Sequence, residues 1–311
     1  MEESVRSEKE IRCAERRLKR NYILGIVNGV MFRASEPFID LNTIIPVFIG
    51  MLTPSQFFVG LATGLRLAGW HLPQFFIANT VAAQEKKHPT YISFGFFRLS
   101  SIAAIPLVVW LVGSYNASLL LGLFILFWAA YYFSGGLCGV SFVDVVAKTI
   151  PAERLSRFWA IRLFLGGAFA VGSGFVVKKV QGAYEFPYEF VVIFGIAAAM
   201  AAGAIIPWFF ALEQRDKIVR PKKTLKEHLA ENIAIFRNDT QFRALFLFRS
   251  FLVFWVTCVP YFIVFANRWL EVDVKSYLGY FVASQTFGAL TSNLVWVYMS
   301  ERLGESRGIL M

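Results

Sequence analysis

The chain has 311 residues, 57% of them hydrophobic and only 17% charged, with a formal net charge of +10. A soluble domain is about a quarter charged, whereas here apolar residues run in blocks of twenty or more, the length that crosses a bilayer core of about 30 Å as a helix. An ordinary soluble domain is thereby excluded, and the basic excess, which in a soluble protein would suggest nucleic acid, falls here in alternate loops as the positive-inside rule requires.

In chain order, residues 1–20 are charged, and Val5, Ile11, Ala14 and Leu18 give them a narrow apolar stripe, so a short cytoplasmic surface helix is expected. No secretory signal is visible, because the charged start runs into a span too long for a signal h-region. Spans are predicted over 21–50, 55–83, 90–113, 118–142, 157–177, 190–213, 243–266 and 276–299. The fold expected is all-α: a polytopic bundle of about eight transmembrane helices. Residues 21–213 form a six-helix N-terminal bundle, 214–242 a cytoplasmic linker, and 243–311 two helices and the start of a third. In the linker, Leu225, Leu229, Ile233 and Phe236 recur at helical spacing and predict an amphipathic interfacial helix. Cys13, Cys138 and Cys258 are too scattered for a metal site, and the latter two read as small core residues.

Counting Lys and Arg fixes an expected orientation. With the N-terminus inside, 22 lie in cytoplasmic segments and 4 outside. The remaining five, Arg33, Arg66, Arg98, Arg162 and Arg249, fall within spans. Arg98, Arg162 and Arg249 lie near the cytoplasmic ends of their spans and are expected to snorkel to the interface.

A charge in hydrocarbon costs several kcal/mol unless it is paired or wetted. Arg33, Glu36 and Asp40 share one helical face of span 1, and Arg66 stands near mid-depth in span 2. Two readings stand. In one, Arg33 or Arg66 binds an anionic group while Glu36 or Asp40 carries a coupling proton. In the other, a fixed pair such as Glu36 with Arg66 only locks helix packing. Pro37 and Pro46 predict bends beside the charges. Along span 2, Trp70 and Gln74 share the face of Arg66, and His71 lies beside it; Trp70 suits stacking and His71 titration near neutral pH. Gly60 and Gly69 recur in spacing as Gly279 and Gly288, which matches Arg66 with Gln285 and places Gln285 opposite it across a cavity, or as interhelical glue.

The six-span block, basic linker and second block resemble the major facilitator superfamily. Ser300-Glu301-Arg302-Leu303-Gly304-Glu305-Ser306-Arg307 is similar to its acidic–basic–x–Gly–x–x–basic loop motif, and Asp144 followed by TIPAERLSR resembles its Pro-x-x-x-Arg pattern. NYILGIVNGVMF and LTPSQFFVGL also look like superfamily sequence. The loop AAQEKKHP lacks the Asp and Gly of the first motif copy, and span 5 lacks the Gly-Pro pair of antiporters. The resemblance implies a secondary active transporter of a small polar or charged solute, working by alternating access with H⁺ or Na⁺ coupling, in a bacterial inner membrane. It implies cytoplasmic gate clusters at Asp144, Arg154 and Arg157 and at Glu301, Arg302, Gly304 and Arg307. A complete member has twelve spans, so a C-terminally truncated transporter is expected. A sensor or scaffold on the same fold is the alternative.

Enzyme motifs are absent: there is no Gly-x-Ser-x-Gly, P-loop, His-Glu-x-x-His or cysteine pair. No cofactor, metal or nucleic-acid partner is expected.

Overall fold

The computed structural model describes residues 2–216 and 224–303. Among these the chain is 86% helical with no strand. The first helix, α1 (Glu2–Ser35), runs 34 residues without a break. The charged first twenty residues are therefore not a separate surface helix. At 1.5 Å per residue α1 is about 50 Å long, which carries its basic turns beyond a bilayer core of about 30 Å.

The first predicted span does not bend; it breaks. After Ser35 come a 3-10 turn (Glu36–Ile39), an extended Asp40, and a second helix, α2 (Ile44–Leu52). Pro37 cannot donate to the carbonyl four residues back, so α1 cannot continue through it. Local side chains then satisfy the irregular backbone. Ser35 Oγ donates to Phe32 O at 2.7 Å, and Asp40 Oδ1 accepts from Asn42 N at 2.9 Å and Thr43 Oγ1 at 2.8 Å. This Asp-x-Asn-Thr turn launches α2, whose Ile44, Ile45, Phe48 and Ile49 are fully buried.

The remaining helices are α3 (Phe57–Ala82), α4 (His88–Val112), α5 (Ala117–Thr149), α6 (Ala152–Ala183), α7 (Tyr188–Trp208), α8 (Leu225–Asn238), α9 (Thr240–Cys258), α10 (Pro260–Trp269) and α11 (Val274–Leu303). The seventh predicted span is thus also divided, at Val259 and Pro260. The linker helix α8 forms with a Thr224–Glu227 capping box, and its Leu229 and Ile233 are exposed. Cys138 is buried as expected, but Cys258 is exposed at the end of α9.

Among the described residues, six helical segments are long and apolar enough to cross a membrane: Ala14–Leu52, His88–Val112, Ala117–Thr149, Ala152–Ala183, Tyr188–Trp208 and Thr240–Trp269. The chain is a multi-pass membrane protein. Two of the eight predicted spans, now α3 and α11, are not among the six. Arg66, His71, Gln74 and Asn79 dilute the hydropathy of α3, and Ser284, Gln285, Thr286, Thr291 and Ser292 dilute that of α11. Outward-facing Phe96, Trp110, Leu126, Phe164 and Phe175, each more than half exposed, form the apolar coat that lipid requires.

The main packing pairs are α1 with α6 and α7, α5 with α3 and α4, and α4 with α7; α11 docks on α6. Exchanging α1 with α5, α3 with α6 and α4 with α7 leaves the pairs within the first seven helices unchanged. Two aromatic cores result. One gathers Phe48, Phe124, Phe190 and Phe194 with Trp128, whose Nε1 donates to Ala62 O at 2.9 Å. The other gathers Tyr91, Cys138, Phe158 and Trp208 near the end where α1 begins, the tail end.

Candidate functional site

Between the two cores lies a layer of charge built around the break in the first span. Arg33 Nη1 pairs with Glu36 Oε2 at 2.6 Å, and both side chains are nearly half exposed. The interhelical lock Glu36–Arg66 is therefore not formed; Glu36 is taken by its own chain neighbour. Arg66, nine residues into α3, lies over the Tyr132 ring at 5.8 Å from its centroid. Glu36 and Asp40 act on it electrostatically, yet among the described residues no carboxylate comes within ion-pair distance of it. Asp40 reaches across to the second block instead, accepting from Gln285 Nε2 at 3.0 Å. Gln285 thus faces Asp40 rather than Arg66.

Trp70 and Gln74 lie against Gly139 of α5, where an added Cβ would stand 3.5 Å from the Trp70 ring and 3.4 Å from Gln74 Nε2. His71 is exposed and turned off this face; His88 is buried, its Nε2 2.8 Å from Trp208 O.

Arg98 and Arg162 do not snorkel. Each lies ten residues into its helix, about 15 Å along the axis, and each is buried, at 8% and 9% exposure. Helices α4 and α6 begin earlier than predicted, which moves both arginines inward. Arg162 is fully engaged: it donates to Gly25 O and to Asn28 Oδ1 (3.2 Å) and lies among Phe142, Phe158 and Trp159. Asn28 Nδ2 donates in turn to Ala204 O at 2.9 Å. Arg98 is caged by Phe32, Tyr131 and Trp70 at 4.5, 4.7 and 5.9 Å. Among the described residues its single hydrogen bond is a long one to Tyr131 Oη (3.4 Å), and its Nε has no partner. Glycines make room for these large cations: Gly29 faces Arg162, Gly135 faces Arg98 and Gly166 faces Arg33. Spacing along one helix carries no trace of such pairs, because the glycine and the arginine sit on different helices. Arg249 is exposed on α9, compatible with snorkelling.

The predicted gate residues are placed differently. Asp144 is 3.9 Å from Lys87 Nζ, at the edge of a network in which Lys87 and Lys148 both pair with Asp216, at 2.5 and 2.8 Å, and Lys148 pairs with Glu213 at 2.9 Å. Glu213 Oε2 also accepts from the backbone N–H groups of Lys87 and His88 at 2.8 and 2.7 Å, capping α4. The two ammonium groups, Lys148 first, hold the Asp216 carboxyl below its usual range. Arg154 and Arg157 take no part in this network. Glu301 and Arg302 fall on the last turn of α11 with side chains outside the described residues, as are Gly304 and Arg307 altogether. The network escaped the sequence reading because partners such as Lys148 and Glu213, or Lys87 and Asp216, lie 65 and 129 residues apart.

At the opposite, far end, the first block meets the second. Lys275 Nζ is 2.9 Å from Oε1 of Glu189, whose side chain is wholly buried. Lys178 contacts Tyr280 Oη, Arg268 donates to Pro54 O, and Gly174 lies against Gly279.

No protein-family model matches the chain, and no curated protein matches it in sequence.

Proposed function

We propose that the chain is a secondary active transporter of the major facilitator type that carries a small anionic solute by alternating access. One observation carries this reading: Arg66 and Arg98 stand inside the helix bundle with no carboxylate at ion-pair distance among the described residues. An unpaired guanidinium in hydrocarbon is kept where it meets a mobile counter-ion or a water-filled path. The charge count from sequence was balanced, two arginines against two carboxylates; burial of Arg98 and Arg162 tilts the interior to positive and selects an anion.

The two-fold exchange that preserves the helix packing supports the reading, since inverted three-helix repeats are a transporter architecture. Under it α3 and α6 are equivalent, and Arg66 and Arg162 stand nine and ten residues into them. The broken first span supplies irregular backbone at the site, as substrate-binding segments do. Eight spans follow when α3 and α11, which carry Arg66 and Gln285, are counted. The tail end, rich in Lys and Arg, is cytoplasmic, and Glu189–Lys275 with Gly174–Gly279 closes the outer end. Glu36, exchanging between Arg33 and Arg66, is the proton-coupling carboxylate.

The test is reconstitution in liposomes with currents recorded as carboxylates, phosphates and sulfonates are presented across imposed pH and Na⁺ gradients. Arg66→Ala and Arg98→Ala should abolish anion currents, and Glu36→Gln should remove their pH dependence. Wild-type currents in both arginine variants would sink the proposal. Cysteines at Tyr115 and Lys86 should label from opposite sides; labelling from one side overturns the topology.

A further inference from the structure

Arg154 and Arg157 are left over by the gate network and stand in an unfavourable place. They lie in the first two turns of α6, where the helix dipole is already positive. They are one turn apart, so their like charges face each other. Both are exposed, and neither side chain has an ion pair or hydrogen bond among the described residues. Glu153, four residues before Arg157, makes no pair with it. A local arrangement that conflicts with helix electrostatics marks a position kept for something other than folding.

Beside them is a recess of about 440 Å³ lined by Tyr22, Arg154, Arg157 and Ile161, between the start of α6 and α1. That volume falls within the range of small-ligand sites, about 300–1,000 Å³. Its depth is that of a membrane interface. Arg20 ends the charged part of α1 and Tyr22 opens the apolar part, and the Tyr22 ring packs on Phe158 at 5.5 Å. Below the arginines, Ile161 floors the recess, and exposed Phe164 and Leu165 continue an apolar track along α6.

We propose that this recess binds the phosphate headgroup of an anionic membrane lipid, with Arg154 and Arg157 as its ligands and the Ile161–Leu165 track as the bed of an acyl chain. Positive charge above and apolar surface below match a lipid; a soluble anion would use only the upper half. Basic pockets between helices at the cytoplasmic side are suited to such headgroups.

The full chain in detergent, titrated with phosphatidylglycerol, phosphatidylcholine or inorganic phosphate, tests this by native mass spectrometry of retained ligand. Each basic residue near an anionic lipid is worth about fivefold in affinity, so R154Q/R157Q should bind phosphatidylglycerol about thirtyfold more weakly. R154K/R157K should retain binding, which separates lost charge from lost fold. Lys86→Gln, an exposed lysine outside the recess, should bind as wild type. Three results would overturn the proposal: equal retention by R154Q/R157Q, an equal loss in Lys86→Gln, or inorganic phosphate competing as well as the lipid.

Discussion

Gly174→Ala isolates one of the contacts between the first block and the second. A methyl at Gly174 would stand 2.5 Å from Gly279 O, 2.6 Å from Ala283 Cβ and 2.7 Å from Ala283 N. Two of these are backbone atoms, which cannot rotate away. Ordinary contact begins at 3.4 Å, so α6 and α11 must part by roughly 0.9 Å here. Overpacking of this kind costs about 1–3 kcal/mol, offset in part by the better helix propensity of alanine, up to about 1 kcal/mol. At about 2 °C per kcal/mol, the net cost should lower the thermal midpoint in detergent by up to about 6 °C. Gly172→Ala is the internal control. It is the same change on the same helix, with nothing within 4 Å of the added Cβ, so it should leave the midpoint unchanged or raise it. The double variant Gly174→Ala/Gly279→Ala should cost less than the sum of its parts, because the first methyl already separates the helices. Equal shifts in Gly172→Ala and Gly174→Ala would refute the reasoning, since propensity rather than interhelical contact would then govern both.

Two buried arginines should respond with opposite sign. Arg98→Met removes a desolvated charge that has no carboxylate partner among the described residues, and should raise the thermal midpoint by about 2 °C or more while abolishing anion transport. Arg162→Met leaves Asn28 Oδ1 unpartnered, which costs about 1–3 kcal/mol, and should lower the midpoint; a rise would show that its hydrogen bonds are dispensable. Asp216→Asn tests the tail-end network. Its carboxyl is held low by Lys148 and Lys87, so its stabilisation is present above the unfolded value of about 3.9 and is lost as pH falls through the lower folded value. The midpoint difference between wild type and Asp216→Asn should be full at neutral pH, begin to shrink as pH falls below about 4, and vanish only once pH is below the lower folded value. A difference that persists there assigns the effect to something other than the carboxylate charge.

Helix class and approximate spans were legible because bilayer thickness imposes a length on apolar runs, and a run can be measured along one chain. The charges Arg33, Glu36, Asp40 and Arg66 were legible for the same reason: they interrupt such runs. Pro37 announced a disturbance in the first span, but whether it bends or breaks depends on Asp40, Asn42 and Thr43 closing a turn. Depth was the weak inference. Two to five residues of unpredicted helix at the starts of α4 and α6 moved Arg98 and Arg162 from an expected interface to the interior.

The sequence by itself determined that this is an all-helical membrane chain with ionisable residues inside its first spans, because hydropathy and charge are properties of single residues and short windows. Only the tertiary structure decided which charges meet. It joined Glu36 to Arg33, turned Asp40 to Gln285, left Arg66 and Arg98 without a carboxylate at ion-pair distance among the described residues, and gathered Lys87, Lys148, Glu213 and Asp216 into one network. Those outcomes follow from which helices lie side by side, and from glycines on one helix that admit an arginine from another. Contacts of that kind leave no periodic mark along the chain.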